Sequence, residues 1–503
     1  MQSTARRFSK CTVPVDYILS PIRLSGITRK FQKMFHNSTD LRFRYIGDRF
    51  LIVYLYTIVD TQQMDLEIIA PLRDYEDQGI NRILSTGSIT YMRKWTNLCK
   101  KLTRGFVIIF MKGAEKPILV PVPKWEKRTA QEPDSEKQIR GPREGFIEDL
   151  ESNIALLRKR MSSPTLVFEE MEIGSVTETR VLISYIAGLC DPEILAEVRR
   201  RLSLINIQSV IDSGYIEEFV VDHPRSIFPQ VEQTERPDKM LGQLLEGRVA
   251  IMVNGSPMVI IVPTIFTQFV QATEDHYENY MYTSFLRLLR MIALPISMFL
   301  PGLYVAITTI HQEMIPTELA LKIAGAREGV PFPAIVEALI MEVAFELLRE
   351  AGVRLPAQVG QALSIVGALI IGQAAVDAGI VSPIMVIVVA LSGISSFVIP
   401  AYRLSIGLRL LRFVFLISAS LLGLVGMVLA VLFLLVHLSS MQSFGVPYFE
   451  PMGPLKWRQF RDWLYRQSWK QKSKQPYNIA INKMENKASS ETPPISQRGN
   501  YRR

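Results

Sequence analysis

After Arg290 the chain carries four long apolar runs with almost no charge: Met291 to Ile310, Leu363 to Val381, Pro383 to Val398 and Phe413 to Leu438. A helix needs about 20 apolar residues to cross the hydrocarbon of a bilayer. Four such runs close together read as transmembrane helices rather than as core helices of a soluble domain. The preceding residues mix charge with short apolar stretches. The expected architecture is therefore an α-helical polytopic membrane domain (285–452) preceded by a two-subdomain mixed α/β cytoplasmic region.

In the first subdomain (1–122), Leu41 to Asp60 is rich in aromatic and β-branched residues and broken by Gly47-Asp48, the pattern of a strand hairpin. Gly105 to Met111 and Pro117 to Pro121 read as further strands, and Asp74 to Leu102 has a weaker helical pattern. Residues 123–145 are charged, Pro-bearing and poor in apolar side chains, the composition of a linker. The second subdomain (146–284) predicts a helix at Phe146 to Met161, a strand at Thr177 to Ile186 and a helix at Asp191 to Leu204 with Pro192 in its first turn. It closes on a hairpin, RVAIMV-NG-SPMVIIVP, in which Asn254-Gly255 would supply the positive φ angles of a tight turn. Arg248 and the turn leave this segment too short to span a membrane.

The formal net charge is +9, and after Gly453 twelve basic residues face three acidic ones, so the tail (453–503) holds the whole imbalance. No nucleic-acid-binding face is needed elsewhere; a basic tail beside a membrane meets anionic lipid headgroups. This tail is expected to be disordered, with Trp457, Trp463 and Trp469 suited to the membrane interface or simply exposed. Cys11, Cys99 and Cys190 give no disulfide framework, and Met1 to Lys10 lacks the apolar core of a signal peptide, which places the N-terminal region in the cytoplasm. Neither a P-loop, a dinucleotide fingerprint, a zinc-protease motif nor a nucleophile elbow is present, so neither catalysis nor a cofactor is expected. His311-Gln312-Glu313 lacks a second ligand at helical spacing, and no metal site is expected.

Arg403, Arg409 and Arg412 flank the last apolar run and favour the cytoplasmic side, as does the tail. Four spans from a cytoplasmic N-terminus would place that Arg loop outside, so one segment is re-entrant or uncounted. The best candidate is Pro333 to Gly352, giving four to six membrane segments in all. Here Glu342, Glu346 and Glu350 fall along one helical stripe beside Arg349, with Glu337 on another face. An acidic stripe within a bilayer can line a cation path. It reads equally as an interfacial helix in which Glu346 and Arg349 pair. Asp377 is a weaker pointer of the same kind, and Ala375/Gly379, Ala419/Gly423 and Gly426/Ala430 have the small-xxx-small spacing of close helix packing.

Six stretches carry a resemblance together: IRGPREGF (139–146), TERPDK (234–239), EGRVAIMVNGSP (246–257), PFP (331–333), FELLREAGVRLP (345–356) and SFGVPYFEP (443–451). Their order and spacing are similar to the A subunits of GerA-family spore germinant receptors, over about 132–451. The resemblance implies a multi-pass protein of the inner membrane of a bacterial spore, assembled with a transporter-like integral B subunit that binds the nutrient and a lipoprotein C subunit. It further implies a homo-oligomeric ring, a pentamer, that opens on nutrient binding to release ions such as potassium. Joined to the stripe, it makes Glu342, Glu346 and Glu350 the expected ion path and Pro331 and Pro333 a hinge. Arg140, Arg143, Glu235 and Arg236 are expected to organise or link the soluble subdomains, or merely to fix a turn and an ion pair. A non-conducting scaffold or signal relay is the competing reading. A secondary transporter is disfavoured, because no internal repeat stands out.

Overall fold

The computed structural model describes residues 24–75, 89–114, 116–124, 133, 136, 140–354, 372–453 and 455–468. Its N-terminal half holds two five-stranded antiparallel sheets. In the first, β1 (Leu41–Ile46), β2 (Phe50–Leu55), β3 (Thr90–Tyr91), β4 (Phe106–Met111) and β5 (Ile118–Pro121) lie in the order β1-β2-β4-β5-β3. Helices α1 (Leu24–Met34) and α3 (Trp95–Leu102) cover one face, where Phe31, Phe35 and Trp95 pack on Val53 and Phe110. The other face is covered by α2, built of Thr61–Met64, the π-helical Asp65–Ile69 and Ala70–Arg73, which sets Met64 and Ile68 on Ile52 and Ile109. Burial on both faces explains why β2 and β4 read as unbroken apolar runs rather than as alternating ones.

The second sheet repeats that plan. Strands β6 (Leu166–Ile173), β7 (Thr179–Ile186), β8 (Glu232–Thr234), β9 (Val249–Val253) and β10 (Val259–Val262) lie in the order β6-β7-β9-β10-β8, the same permutation as the first. Helices α5 (Pro192–Ser203) and α6 (Ser213–Val220) pack on one face, α4 (Leu150–Arg160) and α7 (Pro237–Leu245) on the other. Asp149, Asp191 and Asp212 cap α4, α5 and α6 through their carboxylates. The β9–β10 turn differs from the expected two-residue form. Val249 pairs with Val262, which leaves 254–257 as a longer loop, and within it only Gly255 takes a positive φ, 88°. Cys99 and Cys190 are buried free thiols, each pushed up to about 12 by burial.

The two sheets are joined by a buried charge. Arg158 of α4 and Asp40, just before β1, are both fully inaccessible and meet at 2.8 Å. Arg158 also donates to Ser38 Oγ and to the Ser163 carbonyl, and Thr39 N–H donates to the Phe168 carbonyl.

Among the described residues of the C-terminal half are α8 (Tyr280–Thr309), α9 (Thr317–Arg327), α10 (Ala334–Arg354), α11 (Pro383–Phe397), α12 (Tyr402–Ser440) and α13 (Trp457–Leu464). Two of these, α8 and α12, are long and apolar enough to cross a membrane; α11 is apolar but shorter. Helix α12 is continuous only in name. Gly423 leaves helical geometry (φ 58°, ψ −138°), and the chain doubles back there. A Cβ at Gly426 would meet the Ser418 carbonyl, while Gly407 lies against the Ile227 carbonyl and His437 bonds Ser226, so both ends of α12 return to one soluble loop. The run 413–438, expected as one span, is therefore the inner part of a helical hairpin, 402–422 and 424–440.

Other expectations shift with it. Arg403, Arg409 and Arg412 lie inside a helix rather than in a loop, since arginine is a good helix former and these find partners. Helix α8 begins before the expected 291, and its Arg287 and Arg290 are buried on Asp275 at 3.1 and 2.8 Å. Within the run 363–381, residues 363–371 lie outside the described residues. Gly379 ends a helical turn in the left-handed region rather than forming a packing ridge, its α-carbon facing the Gly329 carbonyl. Close backbone approaches occur at Gly426 of the second half of α12 on the Ser418 carbonyl and at Gly302 of α8 on the Phe415 backbone. The beginning of the tail, expected to be disordered, forms α13, whose Trp463 is buried and donates to the Thr267 carbonyl at 3.2 Å.

Replacing Arg158 by Met should strand the Asp40 carboxylate and cost about 3–5 kcal/mol. Thermal unfolding of the full chain would show this as a lowered midpoint, largely restored in Arg158→Met/Asp40→Leu. Equal midpoints for the single and double variants would contradict it.

Candidate functional site

Helix α10 is built of strong helix formers behind Pro331 and Pro333, which lie in the short connection from α9. Its carboxylates meet different surroundings. Glu337 is fully buried, accepting from Arg327 at 3.1 Å and from Ser382 N–H at 2.9 Å, so it ties α9 to the start of α11. Glu342, 3% exposed, accepts from Arg412 at 2.5 Å and from Ser392 Oγ at 3.4 Å. Arg412 donates in addition to the Ser297 carbonyl at 2.7 Å and the Ser392 carbonyl at 3.4 Å. One guanidinium thus joins α8, α10, α11 and the first half of α12.

One turn along, Glu346 pairs with Arg409 and lies 3.9 Å from Arg349, but its side chain remains 46% exposed. Arg349 donates to Ser396 Oγ at 3.0 Å and stacks on the Phe397 ring. Glu350 pairs with Arg354 at 2.6 Å, with both side chains exposed. The stripe therefore runs from a dry end at Glu342 to a wet end at Glu350. Arg412 lies near the middle of 402–422, a length of about 30 Å at 1.5 Å per residue, so the dry end sits halfway along that helix.

The direction of each helix follows from these contacts. Ser297 and Gly302 of α8 and His311 just beyond its end meet Arg412, Phe415 and Gly423 in turn, so α8 and 402–422 run together away from the sheets. Glu342 and Glu346 meet Arg412 and Arg409 in reverse order, so α10 runs back. The arginines are the partners that reading α10 alone missed. Their signal is legible in retrospect: Ser405, Arg409 and Arg412 share one face of a helix and match the rise of Arg349, Glu346 and Glu342.

The other predicted residues gather elsewhere. Arg236 is buried and donates to the Pro142 carbonyl at 2.8 Å, to Asp238 at 2.9 Å and to the Glu136 carbonyl at 3.4 Å. The Glu235 carbonyl accepts from Phe146 N–H at 2.7 Å. Arg140 reaches Glu278 at 3.3 Å, and Arg143 lies on the exposed side of the same segment. These groups fasten Glu136 and residues 140–146 to the second sheet and to the approach of α8, whereas Arg158 and Asp40 join the two sheets. The segment after α12 docks on the same subdomain: Phe444 enters the core beneath α5, and buried Tyr448 donates to the Pro229 carbonyl at 2.8 Å. Burial also raises the Glu217 carboxyl above its ordinary range, against the pull of Arg403 at the foot of α12.

The sequence profile of a family described as Bacillus/Clostridium GerA spore germination protein matches residues 29–478. Spore germination protein KA of Bacillus subtilis (strain 168) is 45% identical over 437 residues, spanning 85% of this chain and 80% of the relative. An uncharacterized membrane protein of the same organism, YfkQ, is 42% identical over 432 residues, 84% of each chain. The crystal structure of the N-terminal domain of the A subunit of the Bacillus megaterium spore germinant receptor GerK3 aligns at 29% identity with a TM-score of 0.38, covering 50% of this chain and 98% of that one.

Leaving Glu342 unpaired among apolar helices should cost about 3–5 kcal/mol, so Arg412→Leu should sharply lower the detergent-phase unfolding temperature. Arg412→Leu/Glu342→Leu should recover most of the loss. If the double variant unfolds as early as the single one, the pair is not what holds the four helices.

Proposed function

Since this chain belongs to the GerA family of spore germination proteins, we propose that it is the A subunit of a nutrient-responsive germinant receptor, a multi-pass protein of the spore inner membrane that oligomerises and conducts cations when the receptor is engaged. The carrying observation is the Glu342–Arg412 contact halfway along 402–422, continued by Glu346–Arg409 toward the sheets. Charges at the middle of a membrane helix are tolerated only when paired or wetted, and a pair that can exchange one condition for the other is a gate.

The described arrangement is the closed one: Glu342 is neutralised, and the three carboxylates of the stripe are matched by Arg349, Arg354, Arg409 and Arg412. Opening turns Glu346 and Glu350, the half-wet members, toward the path and loosens Glu342 from Arg412, with Pro331 and Pro333 as the pivot of α10. Partner subunits, an integral nutrient-binding B subunit and a lipoprotein C subunit, drive the change through contacts that differ between the two states. A pentameric ring repeats the stripe around one axis. The outward face of α12, with Leu421, Val425, Val428, Phe433 and Val436 more than half exposed, suits lipid.

With α8 and 402–422 leading outward and α10, α11 and 424–440 leading back, the sheets and the tail share one side of the membrane, and His311 with Gly423 lies on the other. Cysteines introduced one at a time at Leu422 and at Ser468 should be labelled by an impermeant maleimide from opposite sides of sealed vesicles. Labelling of both from one side would overturn this topology.

Reconstituted with its partner subunits, the protein should pass potassium on nutrient addition. Glu346→Lys should lower that flux about tenfold, and Glu342→Gln should raise the basal leak by loosening the closed state. Flux unchanged in both variants, with assembly intact, would discard conduction through the stripe and leave a scaffold or relay subunit.

A further inference from the structure

Where α7, the approach to α8, the segment 445–451 and α13 converge, they enclose a cavity of about 690 Å³, a size suited to a small molecule. It lies outside the seam between the two sheets and away from the stripe of α10. Three of the residues that line it carry a buried polar atom with no hydrogen-bond partner among the described residues: Glu232 Oε2, Asp238 Oδ1 and Arg248 Nε. Buried polar atoms are ordinarily matched, so two vacant acceptors and one vacant donor among the residues lining one cavity mark places for a ligand's own groups.

The remaining valences of these residues are taken. Glu232 Oε1 holds Lys239 at 3.0 Å, Asp238 Oδ2 accepts from Arg236 at 2.9 Å and from Tyr277 Oη at 2.6 Å, and Arg248 pairs with Glu246 at 3.4 Å and donates to the Pro263 carbonyl at 3.3 Å. Every charge named is thus already balanced. A net anion would face the carboxylates and a net cation the guanidinium and ammonium groups, each at a desolvation cost. A hydroxyl avoids both, because it donates and accepts with no net charge. Tyr277 and Trp463 line the same space, and the Trp463 indole N–H is already given to Thr267, so its ring offers carbon surface to C–H groups.

We propose that this cavity binds an uncharged polyhydroxylated molecule, a small polyol or sugar, whose hydroxyls donate to Glu232 and Asp238 and accept from Arg248. The ligand bridges the second sheet to the first turns of α8 and to α13, so its binding steadies the joint between the soluble and helical halves. This site is independent of conduction and stands or falls without it.

The test is saturation-transfer NMR on the full chain in detergent, with D-sorbitol and D-glucose as probes and phosphate, putrescine and taurine as the anionic, cationic and zwitterionic arms. Gly242 lines the cavity on α7, and a Cβ there meets nothing within 4 Å. Gly242→Trp should fill the space without touching a buried polar group, cutting polyol affinity about tenfold or more at an unchanged unfolding temperature. Glu232→Gln should weaken binding similarly; should it fail to fold, Gly242→Trp decides alone. Absence of saturable transfer from both polyols, transfer unaffected by Gly242→Trp, or stronger binding of phosphate, putrescine or taurine would each overturn the assignment.

Discussion

The helical half depends on one buried ion pair. Arg412 and Glu342 sit among side chains that cannot hydrate them, and the guanidinium meets its needs only by reaching three other helices. Removing either partner leaves a charge in a place that cannot hold one, so the relative positions of α8, α10, α11 and 402–422 are fixed by satisfying that charge. Apolar packing alone would permit sliding. The pair sets the register.

The same device recurs at every joint of the molecule. Arg158 and Asp40 hold the two sheets together, Arg287 and Arg290 on Asp275 anchor α8 beneath the second sheet, and Arg236 gathers Glu136, Pro142 and Asp238. Arginine suits these positions because its planar fork bonds several acceptors at once and keeps its charge when buried. Each joint is specific rather than strongly stabilising, since a buried pair gains little over well-packed apolar groups of similar size.

Within the soluble half, two sheets of identical strand order follow one another with no repeat visible in the residues. The first uses FLIVYL and FVIIFM for its central strands, and the second uses TRVLISYI and VAIMV. What they share is burial on both faces, which demands apolar character and leaves the individual side chains free to differ. Architecture is thus repeated at the level of covering helices and strand order, where sequence comparison by eye has no purchase.

The residues alone determined an α/β part followed by an apolar helical part, many strand and helix positions, and the family, because these follow from local pattern and short motifs. Placing Glu342, Glu346 and Glu350 on one stripe of a helix was equally legible, since it needs only a period of 3.6 residues. Tertiary structure decided which of those carboxylates is dry and which is wet, because that depends on Arg409 and Arg412, some sixty to seventy positions away in the chain. It also decided that 413–438 belongs to a hairpin. Apolar periodicity passes through a reversal unmarked, and one of the two glycines in that run, Gly423, carries the change of direction.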